Sequence, residues 1–233
     1  MITISGKDLG VLALPNFCPR CFWVKMHCKK LPFQVFPGIF SSIDSYTKKI
    51  TNVFYQKHKR VPDWLKPYGV IKPLEAPHFS KYFIIDEKTD IKLWGGMDEI
   101  FQREDGSFFI VDYKTAKYTK GQDALLPIYE VQLNAYAYIG NRTQFNPVTG
   151  IGLVYYEPQT DLNEDGLFDA IKGNGFAMPF QANLHELELN SDTVIPLLLK
   201  QAKEIIERTK MPKGRDDCKD CLAISDLMGL IDK

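Results

Sequence analysis

From Pro37 onward the stretch PGIFSSIDSYTKKITNVFYQKHKR sets Ile39, Ile43, Tyr46, Ile50 and Val53/Phe54 three or four positions apart, with polar residues between them. That period predicts an amphipathic helix whose apolar stripe faces a core. VPDWLKPYG and KPLEAPH, dense in Pro, read as loops. The pattern then shortens to brief apolar runs broken by polar turns: KYFIID, EKTD, IKLWGGMDEIFQR, EDG and SFFIVDYKT. This predicts a meander of antiparallel strands. LPIYEVQLNAYAYIG returns to a helical period, and VTGIGLVYYEP is a nearly continuous apolar strand. LHELEL alternates like an edge strand, and SDTVIPLLLKQAKEIIERTK is a helix with Ser191 or Asp192 as its expected cap. Helix, antiparallel strands, helix, strand, helix is the order of an α/β sandwich, a mixed central sheet flanked by helices. Residues 1–37, punctuated by Pro and Cys, read as an irregular arm outside a core of residues 38–210, with residues 211–233 as a tail. The chain contains no internal repeat.

Composition adds limits. A chain of 233 residues, 45% hydrophobic and 25% charged, can bury a full core, and disorder is not indicated. Lys+Arg and Asp+Glu both number 29, so no overall basic excess points to nucleic acid, and any electrostatic footprint must be local. Two local clusters, Lys57-His58-Lys59-Arg60 and Lys114, Lys117 and Lys120, read first as solvated faces. The run Val11-Leu12-Ala13-Leu14 before Pro15 is too short for a signal segment, and no stretch has the length of a membrane span. A cytoplasmic protein without a membrane partner is the expectation. In such a compartment the five cysteines are read for metal before disulfides.

Ionised groups on a half-buried hairpin need compensation, commonly a metal or a partner charge, and GGMDEIFQREDGSFFIVDYKT carries Asp98, Asp112 and Lys114 on strands that ought to be burying apolar surface. Side chains alternate along a strand, so Asp112 and Lys114 share one face with Phe108 and Ile110, while Phe109, Val111 and Tyr113 take the other. A three-residue loop Glu104-Asp105-Gly106 would pair Arg103 with Ser107 and set Asp98 opposite Asp112. Cross-strand Cβ atoms about 4.5 to 5.5 Å apart would let both carboxylates grip one divalent ion. A two-residue Asp105-Gly106 turn would instead place Glu99 there. The first register is favoured, because two like charges beside a lysine make sense as a metal site. Such a trio suits phosphodiester hydrolysis: carboxylates for Mg2+ or Mn2+, and a lysine that orients water or neutralises developing charge.

GGMDEI followed by IVDYKT resembles the second and third motifs of the PD-(D/E)XK nuclease superfamily, and QLNAY, from Gln132 to Tyr136, resembles the Q-x-x-x-Y motif of its RecB-like branch. The resemblance implies a restriction-endonuclease-like core. It makes Asp98 and Asp112 metal ligands, adds the Tyr113 backbone carbonyl, makes Lys114 the catalytic lysine, and gives Gln132 and Tyr136 positioning roles. On a helix the last two form an i, i+4 pair on one face. The family's first helix usually supplies a His at G-x-x-x-H; here Gly38 is followed by Ser42. Asp44 is the expected substitute ligand and His58 the second choice.

CPRC and CKDC place Cys18 and Cys21 some two hundred residues before Cys218 and Cys221. Two thiolate knuckles complete a four-sulfur site for Zn2+ or a 4Fe-4S iron-sulfur cluster. RecB-like nucleases of the AddB type and CRISPR-associated exonucleases are similar in closing the nuclease domain with cysteines from both chain ends. They divide them one and three; this chain divides them two and two, with Cys28 to spare. The clip would close a loop around the whole domain, a mainly structural role. Phe17, Phe22 and Trp23 beside Lys25, Lys29 and Lys30 could stack on a strand, or simply pack around the metal.

These readings converge on a metal-dependent DNA nuclease, an exonuclease on single strands or ends, with DNA repair or CRISPR contexts and other nucleic-acid-processing proteins as implied partners. The alternative is a catalytically silent nucleic-acid-binding or assembly module that keeps the fold and the metal clip. A thiol-disulfide or zinc-ribbon interaction protein would use the cysteines but leave the hairpin unexplained.

Overall fold

The computed structural model describes residues 1–28, 37–118 and 124–231; Lys29, Lys30 and Lys120 lie outside the described residues. In chain order the elements are β1 (Ile2–Ser5), α1 (Gly6–Gly10), α2 (Pro19–His27), α3 (Gly38–His58), β2 (Val70–Leu74), β3 (Phe83–Asp86), β4 (Ile91–Trp94), β5 (Glu99–Arg103), β6 (Phe108–Lys114), α4 (Leu126–Asn141), β7 (Val148–Pro158), α5 (Glu164–Ala170), β8 (Ile171–Lys172), β9 (Gly175–Phe176), β10 (Phe180–Leu187), α6 (Ser191–Ile206) and α7 (Lys219–Ile231). The principal sheet has the order β10-β7-β6-β5-β2. β6 and β7 run parallel and the other neighbours antiparallel, so the sheet is mixed, as the alternation of strands and helices predicts.

β6 lies at the centre of this sheet and carries the chemistry. Ile110 on one face joins the larger apolar cluster with Leu133, Ala137 and Ile139 of α4. Phe109, Val111 and Tyr113 on the other join Val61, Leu65 and Val154. The alternation expected along SFFIVDYKT is therefore realised. A parallel β6–β7 pair needs a long crossover, and α4 provides it. Its eleven buried residues, Ile128 and the run Val131–Gly140, place it between sheet and solvent-side helices, where a helix is apolar nearly all round.

Five expectations are corrected. The continuous meander is interrupted at Gly95-Gly96: β4 pairs with β3 and, in parallel, with β1 in a separate three-stranded sheet, whereas β5 joins the principal one. A Cβ on Gly95 would stand 2.5 Å from the Tyr136 ring, so the chain crosses between sheets at a point where only glycine fits. Of the expected irregular arm, residues 1–28 do not lie outside the sandwich: Ile4, Leu9, Leu12 and Phe22 belong to the main core. Their elements were too short to announce themselves by period. Val70–Leu74, read as loop, is an edge strand, where Pro73 is tolerated because an edge leaves one side of the ladder unpaired.

The fourth correction concerns α3. The helix forms where expected, but the residues it buries are Thr47 and Thr51, while Ile39, Tyr46, Ile50 and Val53 are exposed. Polar contacts hold it down: Thr51 Oγ1 meets Tyr113 Oη at 3.2 Å and Asn52 Nδ2 donates to Glu99 Oε1 at 2.9 Å. For α6, neither expected cap acts as one; Asn190 occupies the cap position with no side-chain bond, and Ser191 is the first helical residue.

Candidate active site and cysteine centre

The β5–β6 hairpin turns through Glu104, Asp105 and Gly106, and Gly106 takes the left-handed φ of 84° that this loop requires. Arg103 N donates to Ser107 O at 2.8 Å, and Glu99 pairs with Val111. That register sets Asp98, just ahead of β5, across from Asp112. Asp98 Oδ2 accepts the Tyr113 N–H at 2.8 Å, filling the ladder position that a β5 carbonyl would have taken. The two carboxylates are thus turned toward each other at the end of the central strand.

Asp112 is buried, and its charges are balanced from two elements. Lys114, two residues on and on the same face, forms an ion pair with its Oδ2. From α4, Gln132 Nε2 donates to its Oδ1 at 3.1 Å and to Tyr136 Oη at 2.7 Å. Gln132 and Tyr136 therefore act together, as their i, i+4 spacing predicts. Burial, and then the neighbouring Asp98 charge, push the Asp112 carboxyl up to about 6 against the pull of Lys114. For Lys114 burial works downward, yet Asp112 holds the ammonium above its ordinary value. Its Nζ also stands 4.1 Å from the centre of the Tyr129 ring.

α3 adds Lys48, which sequence reasoning missed. Its Nζ lies 2.8 Å from both Asp98 Oδ1 and Asp44 Oδ2. Asp44 thus approaches the hairpin through Lys48, whereas His58 lies tilted against Phe54 at the exposed end of the helix, with ring centroids 4.5 Å apart. Glu99 was also missed as a functional group. It is buried on the opposite face of the hairpin, bonded to the Tyr113 hydroxyl and to Asn52. Burial raises it to about 7, opposed by the Tyr113 hydrogen bond and reinforced by Asp98. A Glu opening a strand whose next residues, Ile100 and Phe101, read as core was the available signal.

The donors at the hairpin are oxygen, which suits a hard divalent cation. Two observations fit one. Asp112 is buried beside a like charge that a cation would relieve, and Gln132 Oε1 is buried with no hydrogen-bond partner among the described residues. Lys48 and Lys114 supply the countercharge in the structure.

At the other centre, Cys18, Cys21, Cys218 and Cys221 converge, with their sulfurs all within 4.8 Å of one another. Cys28 is exposed at the end of α2 and takes no part. All four can hold a metal, as the two C-x-x-C pairs predict.

The family model of the PD-(D/E)XK nuclease superfamily matches residues 41–225. The chain belongs to this superfamily. The matched PD-(D/E)XK span includes α3, the Asp98–Lys114 hairpin, α4 and the C-terminal cysteine pair. A search of curated proteins found no match. Solved structures similar to this PD-(D/E)XK chain include SSO0001, 14% identical over 91% of this chain and 79% of that one, with a TM-score of 0.37. The alkaline exonuclease LHK-Exo from Laribacter hongkongensis is 11% identical over 88% and 86%, with a TM-score of 0.45. Among the described residues no helix is long and apolar enough to cross a membrane.

Proposed function

We propose that this chain is a divalent-metal-dependent DNA nuclease that removes nucleotides from single strands or ends. The observation that carries the reading is the convergence of Asp98, Asp112 and Lys114 on one end of the central strand, with Gln132 bonded to Asp112. Asp98 and Asp112 would hold Mg2+ or Mn2+, with Asp44 as the added ligand from α3. The Tyr113 carbonyl leaves the strand on the same edge as its N–H, which faces Asp98. When bound, the metal would polarise the phosphate and favour ionised water.

The chain's own residues do the rest. Lys114 keeps its proton, since Asp112 holds it high, so it serves as a donor to a phosphoryl oxygen and a countercharge rather than as a base. Gln132 fixes the Asp112 carboxylate, and Tyr136, packed against Gly95, fixes Gln132. The strand-end preference, and a place beside other nucleic-acid-processing proteins in repair or CRISPR-linked work, rest on the likeness of the three motifs to the RecB-like branch.

A silent binding or assembly module is the second reading, favoured by Ser42 standing where the family's first helix usually supplies a His and by the ion pair that Lys48 makes with Asp98. Incubating the purified protein with end-labelled single- and double-stranded DNA in Mg2+, Mn2+ or EDTA separates the two. Cleavage in metal but not in EDTA supports the enzyme; binding without cleavage in any metal supports the module.

A further inference from the structure

The cysteine centre carries an inference that does not depend on the nuclease reading. Cys18 Sγ lies 3.5 Å from Cys221 Sγ, and Cys21 Sγ lies 3.6 Å from Cys218 and 3.5 Å from Cys221. A tetrahedral ion with metal–sulfur bonds of about 2.3 Å sets its ligands about 3.8 Å apart. In a 4Fe-4S cluster each thiolate holds a different corner iron, which spreads the sulfurs to roughly 6 Å. From this spacing we infer that the four cysteines hold a single zinc ion, not an iron-sulfur cluster.

The surrounding chain is built for the compact spacing. Both pairs use the same device, a first cysteine immediately before a helix and a second within its first turn. Phe22 N donates to Cys18 O and Leu222 N to Cys218 O, each at 3.1 Å. Two helix N-termini therefore face the sulfurs. Arg215 N donates to Cys18 Sγ at 3.3 Å. Gly214 has no side chain because a Cβ there would stand 2.7 Å from Cys221 Sγ. The backbone on both sides is pinned at this separation. Arg20 Nε donates to Pro212 O at 3.3 Å, Trp23 Nε1 to Arg208 O at 3.2 Å, and Arg215 Nε to Asn16 O at 3.2 Å. Opening the sulfurs by the further ångströms that a cluster needs would strain these ties.

The test is metal analysis of full-length protein purified without oxygen from cells supplied with both zinc and iron. The expected result is about one zinc per chain, no stoichiometric iron or sulfide, and a colourless solution. Cobalt exchanged into the site should give the visible bands of a tetrahedral thiolate complex. Cys28→Ser should keep the zinc and Cys221→Ser should lose it. If Cys221→Ser does not fold, zinc released from wild-type protein by a thiol-modifying reagent gives the same stoichiometry. Iron and sulfide in about fourfold amount with brown absorption would overturn the inference, as would a folded protein with no metal. None of these readings involves DNA cleavage, so this inference and the nuclease proposal stand or fall separately.

Discussion

Lys48 Nζ sits 2.8 Å from Asp98 Oδ1 and, on its other side, 2.8 Å from Asp44 Oδ2, joining α3 to the hairpin through one ammonium. Burial works to lower that ammonium, but Asp98 and Asp44 together hold it above its ordinary value, so it stays charged at neutral pH. On the proposed reading it would compete with a divalent cation for Asp98 and would also attract phosphate. Lys48→Ala should therefore bind Mn2+ more tightly, by about fivefold, the equivalent of ~1 kcal/mol for a partly exposed pair. The same variant should bind DNA more weakly. Calorimetric Mn2+ titration and DNA binding in EDTA would read the two effects; weaker Mn2+ binding would contradict the assignment.

Asp112→Asn and Lys114→Ala should each reduce cleavage by at least ~100-fold. Neither should lower the thermal transition much. Asp112 is ionised at neutral pH against the preference of its buried site, so replacing the charge by an amide removes an unfavourable term. A collapse of the transition temperature in Asp112→Asn would mean that this hairpin is structural.

Stability should rise as pH falls from about 7.5 toward 5. Asp112 and Glu99 have folded values of about 6 and about 7 against ordinary values of 3.8 and 4.5, so in that window the native state binds protons that the unfolded chain has released. Glu99→Gln should flatten the slope and stabilise the protein above pH 7. The difference 7 − 4.5 for Glu99 corresponds to a ceiling on the order of 3 kcal/mol. Denaturant melts across pH check the sign. In the same range cleavage at limiting metal should increase as Asp112 ionises.

The packing of α1 on α4 can be tested with one residue. A Cβ on Gly10 would meet Ile128 O at 2.5 Å and Ile128 Cα at 2.9 Å, both backbone atoms that cannot swing aside. Gly10→Ala should cost about 1–3 kcal/mol. Gly38→Ala, where no atom of the described residues lies within 4 Å, is the control and should be near neutral. Equal stability of the two variants would mean that residues 1–28 do not pack as described.

Local rules made the hairpin legible. Gly106 two residues past Glu104 dictates a loop length, the loop length dictates the register, and the register sets Asp98 against Asp112. The i, i+4 spacing of Gln132 and Tyr136 likewise survives intact. What stayed hidden depends on partners distant in sequence. Thr51 lies on the buried face of α3 because Tyr113 offers a hydroxyl beneath it, a pairing no helical period reveals. Lys48 gained its role from a residue fifty positions away, and the first strand, of four residues, acquires meaning through its parallel pairing with Ile91–Trp94.

The span between the cysteine pairs orders events during synthesis. Cys18 and its partner Cys221 are 203 residues apart, so the first knuckle leaves the ribosome long before the second exists. At ~5–20 residues per second that interval is roughly 10 to 40 s. Through it, Cys18 and Cys21 can offer a metal two ligands of four, and the sheet carrying Asp112 is already translated. Closure of the four-sulfur site therefore waits on the second pair, and it marks a chain in which the sheet between the two pairs has already been made.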